Sequence, residues 1–454
     1  VWFVAGLTDK GLLIPQVVES MADFERIYGL RQSYSLLYDA LDLYFHEGGR
    51  RAIVSRVVGP AAATAFKNLL DGVAAISLVV TALGPGAFGN SFKVAVLTPL
   101  VAGYRIQVQD NAGVPLETSP DLADQAAAVN WAKNSSYVRI AVGASALNPS
   151  VVAGANLATG NDDRANIVDA QWLTALTLFS NDLGPGQVSM PGRTTDTAHQ
   201  QLMAHADANN RVAILDLPDT VTAATLLTSV STARGSLGKK GAAFAPWVIA
   251  PGVVSGTFRT IPPSGLVAAR CTQVDAEFNP NVPAAGTLGQ AQFATDLSQI
   301  AWDGPTRNNL NLGGVNVIRN MFGAPRIYGW RSMVDPVAEP SWINFGNSRL
   351  FMAIAAEANN IAETYVLKEI DGQGIVISAF GGALKGMLIP YFNEGALYGD
   401  TPDEAFFVDV GTQVNTPTRI ANNELRAVIS LRMSPFAELV TLEIVKVGTT
   451  EAVV

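Results

Sequence analysis

Residues suited to acid–base or metal chemistry are few in this chain and badly spaced for it. It holds three histidines, a small supply for an acid–base enzyme. His199 and His205 are six positions apart, on opposed sides of a helix, so unaided they form no metal pair. His46 stands beside Glu47 at a helix end, where a surface histidine is commonplace. Asp162-Asp163 and Asp216 fall at loop or strand ends, where α/β folds place catalytic carboxylates. Such acids need a proton donor, a nucleophile or a metal to do work, and none stands nearby, so turn and capping roles are expected. The run Gly235-Ser236-Leu237-Gly238-Lys239-Lys240-Gly241 resembles a phosphate loop only superficially. Two residues separate its glycines and Lys240 follows the first lysine, so it lacks both the cradle and the metal-binding hydroxyl. H-E-x-x-H and G-x-S-x-G patterns are absent. Cys271 is the only cysteine, which excludes an intrachain disulfide and a cysteine-based zinc site. The expectation is no catalytic residue, no metal and no cofactor.

With chemistry set aside, the bulk properties point to architecture. At 454 residues the chain is long for one core, so roughly two to four domains are expected. Charged residues make up 15%, against about 25% in ordinary soluble domains, while apolar residues reach 48%. Part of that apolar excess is expected to lie between subunits, because permanent interfaces resemble a core cut in half. A formal charge of −9 with 30 dispersed basic residues argues against direct nucleic-acid binding. The longest apolar run free of proline and charge, Val73 to Leu83, is too short to cross a bilayer, so no stable membrane insertion is expected. No signal peptide is visible, and the start at Val1 instead of a methionine leaves room for missing N-terminal residues.

The periodicity divides the chain. Val1–Gly6 reads as a strand, Ser20 caps a helix ended by Gly29, Ser35–Glu47 is helical and Arg51–Val58 is a strand. Residues 61–158 are strand-dominated and form a separate domain, with a short helix within 121–130. Residues 159–435 resume an α/β rhythm: helices at 167–179, 195–208 and 221–234 alternate with strands at 187–190, 211–217 and 242–249. That is the signature of a largely parallel sheet covered on both faces. Helices follow at 262–274, within 342–365 and at 375–391, with 280–311 reading as loop-rich. Strands at 405–410, 425–431 and 438–446 give an antiparallel finish. An apolar strand so near a terminus is an aggregation liability unless it pairs, either within its own domain or with a neighbour.

Ordered landmarks over more than 400 residues resemble the contractile tail sheath proteins of bacteriophages. They include Phe3-Val4-Ala5-Gly6, Gly86-Ala87-Phe88-Gly89-Asn90, Val212-Ala213-Ile214-Leu215-Asp216 and Ile261-Pro262-Pro263-Ser264-Gly265. Later ones are Tyr328-Gly329-Trp330-Arg331, Gly395-Ala396-Leu397-Tyr398-Gly399 and Pro435-Phe436-Ala437-Glu438. The family often has paired arginines where Asn347-Ser348-Arg349 keeps one, and Gly-Gly near Gly160-Asn161-Asp162.

The resemblance implies a mixed α/β and α+β multidomain fold: a conserved core (1–60 and 159–435), an outward-facing strand-rich insertion (61–158) and a C-terminal strand-exchange arm (436–454). It implies a non-enzymatic subunit that polymerises as stacked hexamers around an inner tail tube protein and contracts to drive the tube through a bacterial envelope. Baseplate and tail terminator proteins are the further partners, the virion tail is the location, and assembly takes place in the host bacterial cytoplasm. A phage-derived bacteriocin or secretion-type injection device is the alternative. In the arm, Phe436, Leu439, Val440, Leu442 and Ile444 supply side-chain grip, with a hinge at Ser434 and Pro435, since proline cannot extend a ladder. Tube-facing candidates are Lys368, Glu369, Asp371 and Lys385.

Overall fold

Short, fully apolar strands alternating with helices have one economical packing, a sheet covered on both faces. The computed structural model describes residues 1–299 and 302–438. Six strands run parallel: Trp2–Gly6, Ala52–Arg56, Gln187–Ser189, Val212–Asp216, Gly241–Ala245 and Val315–Met321. Antiparallel strands Gln16–Val18 and Ala324–Ile327 close the two edges of the eight-stranded sheet. Alternation of side chains sends Phe3 and Ala5 toward helices Asp169–Thr177, Asp196–Ala208 and Ala223–Ala233, where they share a core with Leu176, Leu202, Met203, Leu226 and Val230. Trp2 points to the opposite face, its ring centroid 4.9 Å from that of Tyr44 and its Nε1 donating to Ser189 Oγ at 2.7 Å. Helices Leu37–His46 and Ser264–Glu277 cover this second face. They approach so closely that a Cβ on Gly265 would lie 2.4 Å from the Ala40 carbonyl oxygen.

The chain leaves this sheet after Arg56 and returns near Asp162. Between them a three-stranded sheet (Thr64–Leu70, Ile76–Pro85, Val138–Val142) and a four-stranded sheet (Lys93–Leu97, Arg105–Gln109, Pro115–Thr118, Val152–Asn156) enclose their own apolar core. Outgoing and returning segments pair at Ala63–Asn161 and Phe66–Ala158. The buried Arg56 guanidinium ties the crossing down, donating to the carbonyls of Gly11 at 2.9 Å and Pro85 at 2.5 Å.

Helix Phe345–Glu363 carries the chain from one compact unit, Val1–Ala356, into a second that begins at Glu357. Within the second unit, helix Ile375–Asn393 packs against the two-stranded antiparallel ladder Phe406–Asp409 and Val428–Leu431. A Cβ on Gly381 would lie 2.8 Å from Val410 Cγ2, so the glycine that weakens the helical pattern is what admits the ladder.

Two elements differ from the sequence expectation. Residues 242–249 form two strands, Gly241–Ala245 and Val248–Pro251, because Pro246 has no N–H to give the ladder. The loop-rich stretch 280–311, where no helix was expected, gives way to helix Gly304–Leu312, capped by Asp303 Oδ1 accepting from the Thr306 amide at 2.9 Å.

Candidate assembly site

The acids and histidines singled out in the sequence are engaged in contacts within the fold. Asp216 is buried at the carboxyl end of its strand and accepts from the amides of Gly192 (3.0 Å) and Ser264 (2.8 Å) and from Ser264 Oγ (2.8 Å). Burial pushes its carboxyl up to about 6, against the pull of these donors. His199 Nε2 lies 2.9 Å from the Asp216 carbonyl oxygen, and burial holds its pKa below the ordinary imidazole value. His205 Nε2 is 2.8 Å from Arg211 Nη1; burial first and that cation second depress it to about 4. Arg211 also donates to the carbonyls of Phe179, Ser180 and Gly184 and lies over the Phe3 ring at 3.8 Å. Asp163 accepts from the Ala61 amide at 2.8 Å, while Asp162 pairs with Arg164 at 3.5 Å. His46 pairs with Asp42 and stacks on Phe293. The glycine-lysine run is a packed turn, with the Met333 amide donating to the Gly241 carbonyl and Lys240 paired with Asp207 at 3.5 Å. Among the described residues no group of acids, histidines and cysteines is arranged to hold a metal.

The second unit exposes both backbone edges and apolar surface. In the ladder, Phe406 and Val408 are buried, whereas Phe407 is 58% exposed. Register places Phe406 opposite Leu431 and Val408 opposite Ile429 on one face, with Phe407 opposite Ser430 on the other. Each strand has only four residues, and among the described residues no third strand joins them along their length. Two strands alone are marginal in water, so helix packing supports this ladder and its edges keep unused donors and acceptors.

The C-terminal segment leaves along this ladder. Met433 bridges Leu397, and the Ser434 amide donates to the Ala396 carbonyl at 3.0 Å. Ser434 is thus tied down, and Phe436, just beyond Pro435, is half-buried. Leu439, Val440, Leu442 and Ile444 lie outside the described residues. The charged candidates separate by role. Asp371 caps helix Ile375–Asn393, accepting from the amides of Ile375 (2.9 Å) and Val376 (2.8 Å), and those bonds hold its pKa down. Lys368 lies over the Tyr365 ring at 4.2 Å and is exposed, as is Glu369. Lys385 is exposed midway along the helix, on a face with Ile375, Ser378, Gly382 and Ile389, opposite buried Phe380, Leu384 and Leu388. By length and composition this helix could cross a bilayer, and only 22% of its apolar window is buried. Sequence reading placed a helix at 375–391 but did not mark its length as enough for a bilayer, because Lys385 and Pro390 interrupt the apolar run.

The chain shares its fold with sheath proteins of contractile tail systems. A chain in the baseplate of the anti-feeding prophage, solved with sixfold symmetry, matches with TM-score 0.61 at 16% identity, over 98% of this chain and 92% of that one. A sheath tail protein from Desulfitobacterium hafniense matches with TM-score 0.57 at 13% identity, over 90% and 89%. The sheath complex of an extracellular contractile injection system in its contracted state gives TM-score 0.58 at 13% identity, over 98% and 91%. No protein-family model and no curated protein sequence matches the chain.

Proposed function

We propose that the chain is the subunit of a contractile tail sheath, a non-enzymatic protein that stacks as hexameric rings around an inner tube and contracts to drive it through a bacterial envelope. The observation carrying this reading is a structural likeness spanning 98% of the chain. The open ladder at Phe406–Asp409 and Val428–Leu431 accepts strands from neighbouring copies, and residues from about 436 onward supply one. Main-chain hydrogen bonds made by added strands keep their geometry while the bodies they join swing as units. Phe436, Leu439, Val440, Leu442 and Ile444 grip the neighbour, and the hinge lies at Pro435, immediately after the tied-down Ser434. The exposed face of helix Ile375–Asn393, with Lys385, meets the tube, while Lys368 and Glu369 flank it and Asp371 serves as its cap. The 61–158 insertion faces outward. Contraction needs no cofactor if the extended array is kinetically trapped above a lower-energy packing.

The particle is a phage virion, assembled in the host cytoplasm on a baseplate and closed by a terminator, and contraction serves genome ejection. A second reading, the sheath of an injection device without a genome, is favoured by the likeness to the injection-system sheath complex. Removing residues 439–454 tests the assembly claim. The truncated chain stays folded and soluble but forms no long tubes; tubes as long as those of the full chain refute it.

A further inference from the structure

Helix Ser264–Glu277 buries an arginine whose donors are only partly used. Arg270 is 4% exposed, and Nη2 makes both of its contacts, to the Glu47 carbonyl and to Glu47 Oε2 at 3.2 Å. Glu47 is itself shared with the backbone amides of Gln292, Phe293 and Ala294 at 2.8, 2.9 and 3.0 Å. Arg270 Nε is buried without a partner, and Nη1 forms no hydrogen bond among the described residues. A guanidinium left with unmet donors in a desolvated place is costly, and burial lowers its pKa accordingly.

The same arginine lines a cleft of about 350 Å³ together with Gln273, Glu277, Thr287, Gln290 and Gln292. Gln273 Nε2 is spent on the Glu47 carbonyl at 3.0 Å, and Gln290 Oε1 accepts from Arg326 at 2.5 Å. The Thr287 hydroxyl and the side-chain amides of Gln290 and Gln292 donate no hydrogen bond among the described residues, so together with Nη1 they are the donors this cleft offers. Glu277 adds one acceptor at the rim.

We infer that this cleft binds a single carboxylate, with Arg270 Nη1 as the principal donor and Thr287 and Gln292 as secondary ones. The Glu277 carboxylate repels a second negative charge and accepts from a neighbouring N–H, so the fitting ligand is a monocarboxylate beside an amide. Such a group comes either from a free N-acyl amino acid or from an acidic residue on another copy of this chain. The second source rests on the sheath reading; the first does not.

The test uses the full chain, kept unassembled, and N-acetylglycine as probe. Calorimetry is expected to show saturable one-site binding, weakened at least tenfold by Thr287→Glu and by Gln292→Ala. Both variants keep the Arg270–Glu47 pair and should melt as the wild type does. Assembly then separates the sources. N-acetylglycine that slows tube growth, relative to chloride at equal ionic strength, assigns the site to a neighbour's carboxylate; growth untouched by a bound probe assigns it to a free acid. No saturable binding to the wild-type chain, with tube growth indifferent to probe and variants, overturns the inference. A chain that binds the probe but never forms tubes leaves the site standing and removes the sheath reading instead.

Discussion

Replacing Asp216 tests whether its carboxylate is a structural staple. The side chain joins the loop after strand Gln187–Ser189 to the first turn of helix Ser264–Glu277 through three donors, two of them backbone amides. Asp216→Ala orphans all three. The Ser264 hydroxyl can turn to another acceptor, but the amides of Gly192 and Ser264 cannot move without the backbone. An unmet buried donor costs about 1–3 kcal/mol, so the two amides together predict a loss of about 4 kcal/mol. Asp216→Asn keeps one accepting oxygen and turns an NH2 group toward one of the former donors, so about half that loss is expected. Urea unfolding followed by tryptophan fluorescence reads both, because Trp2, Trp172 and Trp247 all belong to the first unit. An Asp216→Ala midpoint equal to wild type, with unchanged slope, would refute the staple.

His205, depressed to about 4 from an ordinary 6.5, binds protons more readily in the unfolded chain, so its share of stability is lost as pH falls from 6.5 toward 4. Asp216, raised to about 6, acts in the opposite sense, with stability lost as pH rises through that value, so the clean readout is the wild type minus His205→Gln. That difference should fall by up to about 3 kcal/mol on acidification across the His205 window, and a flat difference contradicts the Arg211–His205 account. Gly265→Ala sets a methyl 2.4 Å from the Ala40 carbonyl oxygen and should cost roughly 1–3 kcal/mol, read as a lower melting temperature. Lys385→Glu, on an exposed helix face, should leave melting unchanged while abolishing co-assembly with the tube protein; unaltered co-assembly removes that face from the tube contact.

The parallel sheet was legible because its strands are buried on both faces and read as apolar runs broken by helical spacing, as in Val212–Asp216. Ser20 was legible as a cap for the same local reason, its side chain accepting from the Asp23 amide at 3.1 Å. Helix Gly304–Leu312 was missed although Asp303 and Pro305 stand where a cap and a first-turn proline belong, because its body holds few apolar residues. Glu47 and Arg270 were invisible: their burial depends on partners at Gln292 to Ala294, more than 240 positions from Glu47, which no local pattern reports. The candidate assembly elements were only half legible. The ladder strands alternate clearly, whereas the packing of helix Ile375–Asn393 on that ladder follows from Gly381, read locally as a weakness.

The most direct test is a cryo-EM reconstruction of tubes grown from the full chain. Density for residues after Glu438 of one copy should run alongside Phe406–Asp409 or Val428–Leu431 of another, with every ring holding six copies. A map in which those residues return to the ladder of their own molecule would contradict the account.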